Sequence, residues 1–330
     1  MHVLEHVTHV NQNLINASYM KKVKDFIWKK EMSVSSLVDQ FSTLGYQSIE
    51  LHKAAQVIQK MKKEGAKIFI SFTSNMVTSG LRGFFAQLIK LKMVDVIVTT
   101  AGSIEEDIMK TTDEDFGITN YNSDDAALYE KGDNRIGNLI INNKTYERFE
   151  DSFHSFLSKI YKKKPSLSVS ELLKEIGSEL NDENSILYQA SKNNIPVFCP
   201  AITDSAIGFH LAFFRQKHKD FNIDIISDFS KLQSCSTHDE KKGIIALGGG
   251  VSKHHAILAS LLSGGADYAL YMTTAREFSG SVGGATTREA VSWGKIKDEA
   301  DAVTVIGDVS INFPLAMCAA LDSLSKEKVI

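Results

Sequence analysis

Proline and cysteine are scarce in this chain, with four prolines and three cysteines in 330 residues. Cys199, Cys235 and Cys318 stand far apart, in no Cys-x-x-Cys pair and no metal-ligand spacing, which points to reduced core cysteines. No His/Cys/Asp cluster has metal spacing either, so no metal is expected. Neither charge sign prevails: the net charge of −3 gives no electrostatic case for a nucleic-acid binder. No uncharged apolar segment approaches the roughly 18 residues that a membrane span needs. Met1 to Asn16 carries three histidines and no continuous apolar run, so no signal peptide is expected and the compartment is expected to be the cytoplasm. Repeats and low-complexity tracts are missing too.

What is present is an ordinary globular composition, 43% hydrophobic and 23% charged, in a chain long enough to bury a large core as one domain. Short apolar runs recur: Lys67–Ser71, Val94–Thr100, Ile195–Cys199, Gly243–Leu247, Tyr268–Met272 and Ala302–Ile306 read as buried strands. Leu81–Lys92 reads as a helix between the first two. Buried strands separated by helical segments imply a parallel sheet covered on both faces. Ser33–Lys63 reads as helical, within an N-terminal segment 1–64 packed outside the sheet. Asn142–Asn193 reads as helices, interrupted at Lys162-Lys163-Lys164-Pro165 by a solvated turn. Phe229–Lys242 reads as a polar connection. Pro196 and Pro200 flank a strand, and Pro314 is expected to open the last helix.

Several motifs follow these strands, where open parallel sheets bind ligands. Thr99-Thr100-Ala101-Gly102 permits close backbone approach, and the next turn supplies Glu105 and Glu106; taken alone, a glycine turn with helix-start acids explains it equally well. Gly248-Gly249-Gly250 precedes a helix expected near Lys253 and offers backbone amides to an anion, although it lacks the Gly-x-Gly-x-x-Gly fingerprint. Asp204 and Asp308 each follow an expected strand, and a helix N-cap accounts for either one. His254 has an imidazole of suitable basicity for proton transfer. The string Glu289 to Ile296 places Lys295 beside Trp293 and Gly294. A lysine held against aromatic surface loses hydration, and its neutral amine can form an imine. A lone Trp-Gly-Lys string is more often a turn with a snorkelling lysine.

The order and spacing of Ser74-Asn75-Met76, Thr99 to Asp107, Asn134-Arg135-Ile136-Gly137-Asn138, Pro200 to Asp204, Leu247 to His255, Gly264 to Tyr268 and the Lys295 string resemble deoxyhypusine synthase. The resemblance runs from about Ile68 to Pro314, and no single motif carries it. It implies an α/β fold, a Rossmann-like parallel sheet flanked by helices, in a homotetramer built from dimers. It also implies NAD as cofactor, a polyamine (spermidine) as donor, and a lysine of a translation initiation factor as acceptor. By position, Lys295 becomes the imine-forming lysine and His254 the proton acceptor. NAD contacts fall on Ser74, Asn75, Met76, Val77, Thr78, Thr100, Ala101, Gly102, Glu106, Asp204, Gly249, Thr274, Ala275, Asp308 and Val309. Amine contacts fall on Glu105, Glu106, His254, Gly280, Ser281, Glu289, Trp293 and Lys295.

The chain departs from that pattern where carboxylates and an amide are expected to hold ammonium groups. Phe209 replaces an aspartate after Ile207-Gly208, Ser279 and Val282 replace aspartates around Gly280-Ser281, and Leu258 replaces an asparagine. Losing one partner of a buried charge pair typically costs about 2–5 kcal/mol in binding, so a weakened grip on spermidine is expected, with Phe209 filling space needed by an ammonium. A paralogue with another amine donor or acceptor, in a homospermidine-type transfer, is the alternative. A non-catalytic NAD-binding scaffold is a third reading, against which the intact Glu289–Lys295 string argues.

Overall fold

The computed structural model describes residues 21–112 and 116–330. Six strands form one sheet: β1 Lys67–Ser71, β2 Val96–Val98, β3 Val197–Phe198, β4 Lys242–Leu247, β5 Ala266–Thr273 and β6 Ile296–Ile306. Their spatial order is β6-β5-β4-β1-β2-β3, and every neighbouring pair is parallel. Read from the other edge this is 3-2-1-4-5-6, the order of doubly wound dinucleotide-binding sheets. Their switch point lies between β1 and β4, which pair from Lys67↔Lys242 to Ser71↔Ala246.

Alternation along the strands sorts side chains into two layers. Ile68, Ile70, Ile97, Ile245, Leu270 and Val303 join one large core with Ile58 and Met61 of the helix Gln47–Lys63 and Phe313 and Met317 of the helix Val309–Lys326. Phe69, Val96 and Val98 face the other way, onto Ala256 and Ala259 of the helix Gly250–Leu261. Both faces are therefore dry, which is why these strands read as continuous apolar runs.

The expected strands and the Leu81–Lys92 helix (observed Arg82–Lys90) are present with shifted ends. Several expectations need correction. The N-terminal segment is not helical throughout: residues 21–33 hold no helix, and Val34–Phe41 and Gln47–Lys63 are separate helices. The readings made for residues 1–20 lie outside the described residues. Phe229–Gln233 is no connection but the end of a helix, Ile225–Gln233, whose half-apolar face packs Leu232 into the core. Pro314 does not open the last helix. Asp308 caps that helix through Ser310 N (2.7 Å), and Pro314 lies inside it. Pro314 is the sixth residue of the helix, and its missing amide leaves the Ser310 carbonyl without its i+4 donor.

β6 begins at Ile296, six residues before the expected Ala302. Lys297, Asp298 and Glu299 hide its start from an apolar-run reading, because it is an edge strand with a register shift between the Ala266 and Tyr268 pairings. Away from the sheet, Asp133–Ile136 and Leu139–Asn142 form a hairpin turned by Gly137 (φ 62°) and Asn138, which accounts locally for the Asn134–Asn138 motif. Among the described residues no helix is long and apolar enough to cross a membrane.

Candidate active site

At the switch point the chain leaves β1 through Phe72 and Thr73 into the short helix Ser74–Met76 and a wider turn, Val77–Leu81, where Gly80 takes φ 103°. Such wide turns inside helices recur at functional sites. The loop after β2 lies against it. Ser74 N donates to Thr100 Oγ1 (3.1 Å), and a Cβ on Gly102 would come within 2.9 Å of the Ser74 Cβ. Met76, Val77, Ala101 and Val309 send their side chains into the core, so only their main chain can meet a ligand.

The glycine loop follows β4. Gly248 and Gly250 have φ of 82° and 71°, conformations that favour glycine. At Gly249 the constraint is space, since an added Cβ would sit 2.4 Å from Gly283 Cα. The segment from Thr274 to Thr286 thus lies over the loop. The helix starts at Gly250 rather than near Lys253, and its N-cap Gly249 supplies no side-chain hydrogen bond to the first amides. Those amides suit an anion.

The two aspartates separate. Asp308 is an N-cap, as its alternative reading proposed. Asp204 is exposed and is not one; Ser205 caps the helix Ala206–Lys217. Thr274, Gly280 and Ser281 are exposed beyond β5, and Ala275 N donates to Thr273 Oγ1 (3.0 Å).

Glu105 and Glu106 lie on the helix Ala101–Thr112, both buried. Burial pushes the Glu106 carboxyl up to about 7, against the opposing hydrogen bond from Thr78 Oγ1 (2.6 Å) and the charge of Lys110. Burial also raises Glu105, which accepts from Ile207 N (3.4 Å). Next to them, Asp107 accepts from Arg82 Nε (2.6 Å), Ser185 Oγ (2.9 Å) and Leu187 N (2.8 Å), a structural anchor rather than an open group.

His254 stands one turn into the glycine-loop helix. Burial first, then the Lys295 ammonium, holds its pKa below the ordinary 6.5, so the ring is neutral at pH 7 and able to accept a proton. It borders a cavity of about 340 Å³ with Leu258, Ile225, Ile226 and Phe229. Lys295 is fixed by its main chain: its carbonyl accepts from Ala266 N (3.0 Å) and Ser260 Oγ (2.8 Å). Its Nζ lies 5.0 Å from the Trp293 ring centroid. Unlike the other motifs, this lysine precedes a strand, yet its charge acts on the His254 ring.

The expectation that Lys295 is the desolvated lysine is corrected within this single chain. It is half-buried, and Trp293 is 64% exposed. A desolvated lysine of this region is Lys253, 1% exposed, with Nζ 4.1 Å from the Tyr271 ring centroid and donating to the Ala285 carbonyl (2.8 Å). Burial lowers it to about 8, with Glu289 opposing. Sequence reading passed over Lys253 although it adjoins His254, because nothing local marks Tyr271 as its neighbour. It also missed Tyr146, whose hydroxyl is raised to about 12 by burial and by the charges of Glu105 and Glu106.

The sheet order, the glycine-lined crevice and the His254–Lys295 pair invite comparison with known proteins, and a family model for deoxyhypusine synthase matches residues 36–320. The chain belongs to the deoxyhypusine synthase family. A protein of Schizosaccharomyces pombe named "Probable deoxyhypusine synthase" is 40% identical over 305 residues, 87% of each chain. The deoxyhypusine synthase of Candida glabrata is 38% identical over 334 residues, covering 88% of this chain and 86% of that one. A crystal structure from Entamoeba histolytica assigned to the same family superposes with a TM-score of 0.65 at 28% identity, over 91% of this chain and 97% of that one.

Members of the deoxyhypusine synthase family are transferases, so the chain is an enzyme of that class. Against this family background the departures take a definite shape. Phe209 is 67% exposed, so within one chain it fills no enclosed ammonium site, contrary to expectation. Val282 packs against the small core of Ile244, Ala246 and Tyr271. Leu258 belongs to the apolar cavity beside His254.

Proposed function

We propose that this enzyme uses NAD to move the aminobutyl group of spermidine, through an imine on Lys295, to a lysine of a translation initiation factor. What supports the reading is a neutral His254 on the glycine-loop helix whose ring feels the charge of Lys295. A neutral imidazole and a primary amine are the two groups that oxidation of an amine followed by imine exchange requires.

The residues present fit the cofactor. Gly102 and Gly249 leave cradles that a Cβ would fill, Gly249 ends in unclaimed helix amides, and Asp204 is free of capping duty. When bound, NAD supplies the acceptor and later the donor of hydride. Ser74, Thr100, Gly102 and Gly249 would hold it, with Asp204 on a ribose. His254 accepts the proton as the secondary amine of spermidine becomes an imine. The Lys295 amine attacks that carbon, diaminopropane departs with its nitrogen, and the butyl fragment stays on Lys295. The acceptor lysine displaces Lys295, and reduction of the new imine completes the transfer. Glu105, Glu106 and Glu289 are the acids for ammonium groups.

The openness of Glu289, Trp293 and Lys295 supports a second copy covering them, in a homotetramer of dimers. None of the comparisons favours a changed donor or acceptor. The test is incubation with spermidine and NAD without acceptor, followed by borohydride. Released diaminopropane and a reduced adduct mapped to Lys295 are expected. An adduct on Lys253 would overturn the assignment, and absence of diaminopropane would overturn the activity.

A further inference from the structure

Far along the chain from the glycine loop, two helices bring three metal-ligating side chains together. Glu150 and His154 are one turn apart on Asn143–Lys163, and His210 comes from Ala206–Lys217. One ligand atom from each lies within 4.8 Å of the other two. His154 Nε2 is 4.0 Å from Glu150 Oε1, and the two imidazoles meet edge to face at 5.2 Å between centroids. The spacing that sequence reading sought is split between distant segments, which is why no metal was expected.

A second observation points the same way. His210 Nδ1 is buried and has no hydrogen-bond partner. An unsatisfied buried nitrogen costs about 1–3 kcal/mol, and native proteins rarely leave one without a reason. The ring packs beside the stacked pair Phe149 and Phe153, at 5.7 and 6.1 Å between centroids. Coordination would use a lone pair that the fold otherwise wastes.

We infer that Glu150, His154 and His210 form a binding site for a first-row transition metal of the Zn²⁺ type. Two imidazoles and one carboxylate are a donor set suited to Zn²⁺, with a fourth position left for water. Tetrahedral bonds of about 2.0–2.1 Å put ligand atoms roughly 3.3 Å apart, so a closure of up to about 1.5 Å from the present spacing of at most 4.8 Å is needed. Half-exposed Glu150 and His154 can move that far on a fixed helix. The ion would tie the helix carrying Phe209 to the helix carrying Tyr146.

Co²⁺ reports both binding and geometry. Titration of metal-free full-length chain is expected to give visible absorption of four-coordinate Co²⁺, saturating with one ion lost in His154→Gln and in His210→Gln. Wild-type melting temperature is expected to rise with Zn²⁺, and that rise is expected to vanish in both variants. Should His210→Gln misfold, Glu150→Gln decides, because an exposed carboxylate is removed without touching the core; at least a tenfold weaker Co²⁺ affinity is expected. His2, His6 and His9 offer competing ligands in sequence. Uptake unchanged in all three variants would assign the ion to other residues and overturn the proposal, as would no uptake by the wild type.

Discussion

Around the ends of β1 and β2, Glu106 is enclosed and bonded to Thr78, Asp107 is held by Arg82 and three further donors, and Ser74 touches Gly102. Around the start of β6, Glu289 and Trp293 stand in solvent and Lys295 is only half covered. The first region is complete in one chain: its geometry is fixed by contacts that any copy carries. The second has its main chain fixed but the side chains of Glu289 and Trp293 open to solvent. A lysine there can acquire the low hydration that imine chemistry wants only when something closes over it.

The two lysines give the strongest way to break that comparison. Lys295→Arg is expected to cost turnover roughly a thousandfold or more, since arginine stays protonated and cannot form an imine. Lys253→Met should leave the trapped adduct in place and change the rate far less. If steady-state assays rank them the other way, the enclosed lysine is the nucleophile.

Stability should also differ between the regions. Asp107→Ala leaves the buried Arg82 guanidinium short of a partner and is expected to destabilise by about 3–5 kcal/mol, whereas Glu289→Ala should stay within about 0.5 kcal/mol. Urea unfolding of both variants measures this; equal losses would erase the distinction.

Glu106 adds a pH signature to the enclosed region. Its folded pKa, about 7, lies above the ordinary 4.5, so between those values the folded chain binds more protons than the unfolded one. Its contribution is therefore fully present below about pH 4.5 and is lost as pH rises through 7, a swing of roughly 3 kcal/mol. Glu106→Gln should flatten that part of the stability–pH curve, and an unchanged curve would mean that the carboxyl is hydrated.

Gly249→Ala should cost about 1–3 kcal/mol by pushing against Gly283, and it should also abolish the thermal shift given by NAD. A variant that keeps the shift would move the cofactor elsewhere. The smallest expected effect is that of Phe209→Asp. In an open site an added carboxylate strengthens spermidine binding by less than about 1 kcal/mol. A larger gain by calorimetry would show that the position is covered in the assembly, and would sharpen the contrast between the two regions.

Much of the architecture was legible because both sheet faces are dry. Ile68–Phe69–Ile70 and Ile244–Ile245–Ala246 have no polar alternative to burial, and their loops had to end in small residues. The start of β6 was not legible, because Lys297–Glu299 lie on an exposed edge where polarity and strand formation coexist. In the site, close backbone approach could be expected from sequence at Gly102 and Gly249, where an added Cβ would meet Ser74 and Gly283. Roles that depend on a neighbour from another element could not, as with Lys253 under Tyr271 and Tyr146 near Glu106.

The two borders of the sheet carry a consequence for self-association. β3 is two residues long, and β6 meets solvent with a kinked, charged start at Lys297, Asp298 and Glu299. Neither border offers a long flat row of unpaired amides for another strand to join. Pairing of copies border to border is thereby disfavoured, at β3 by its length and at β6 by the charged, kinked start.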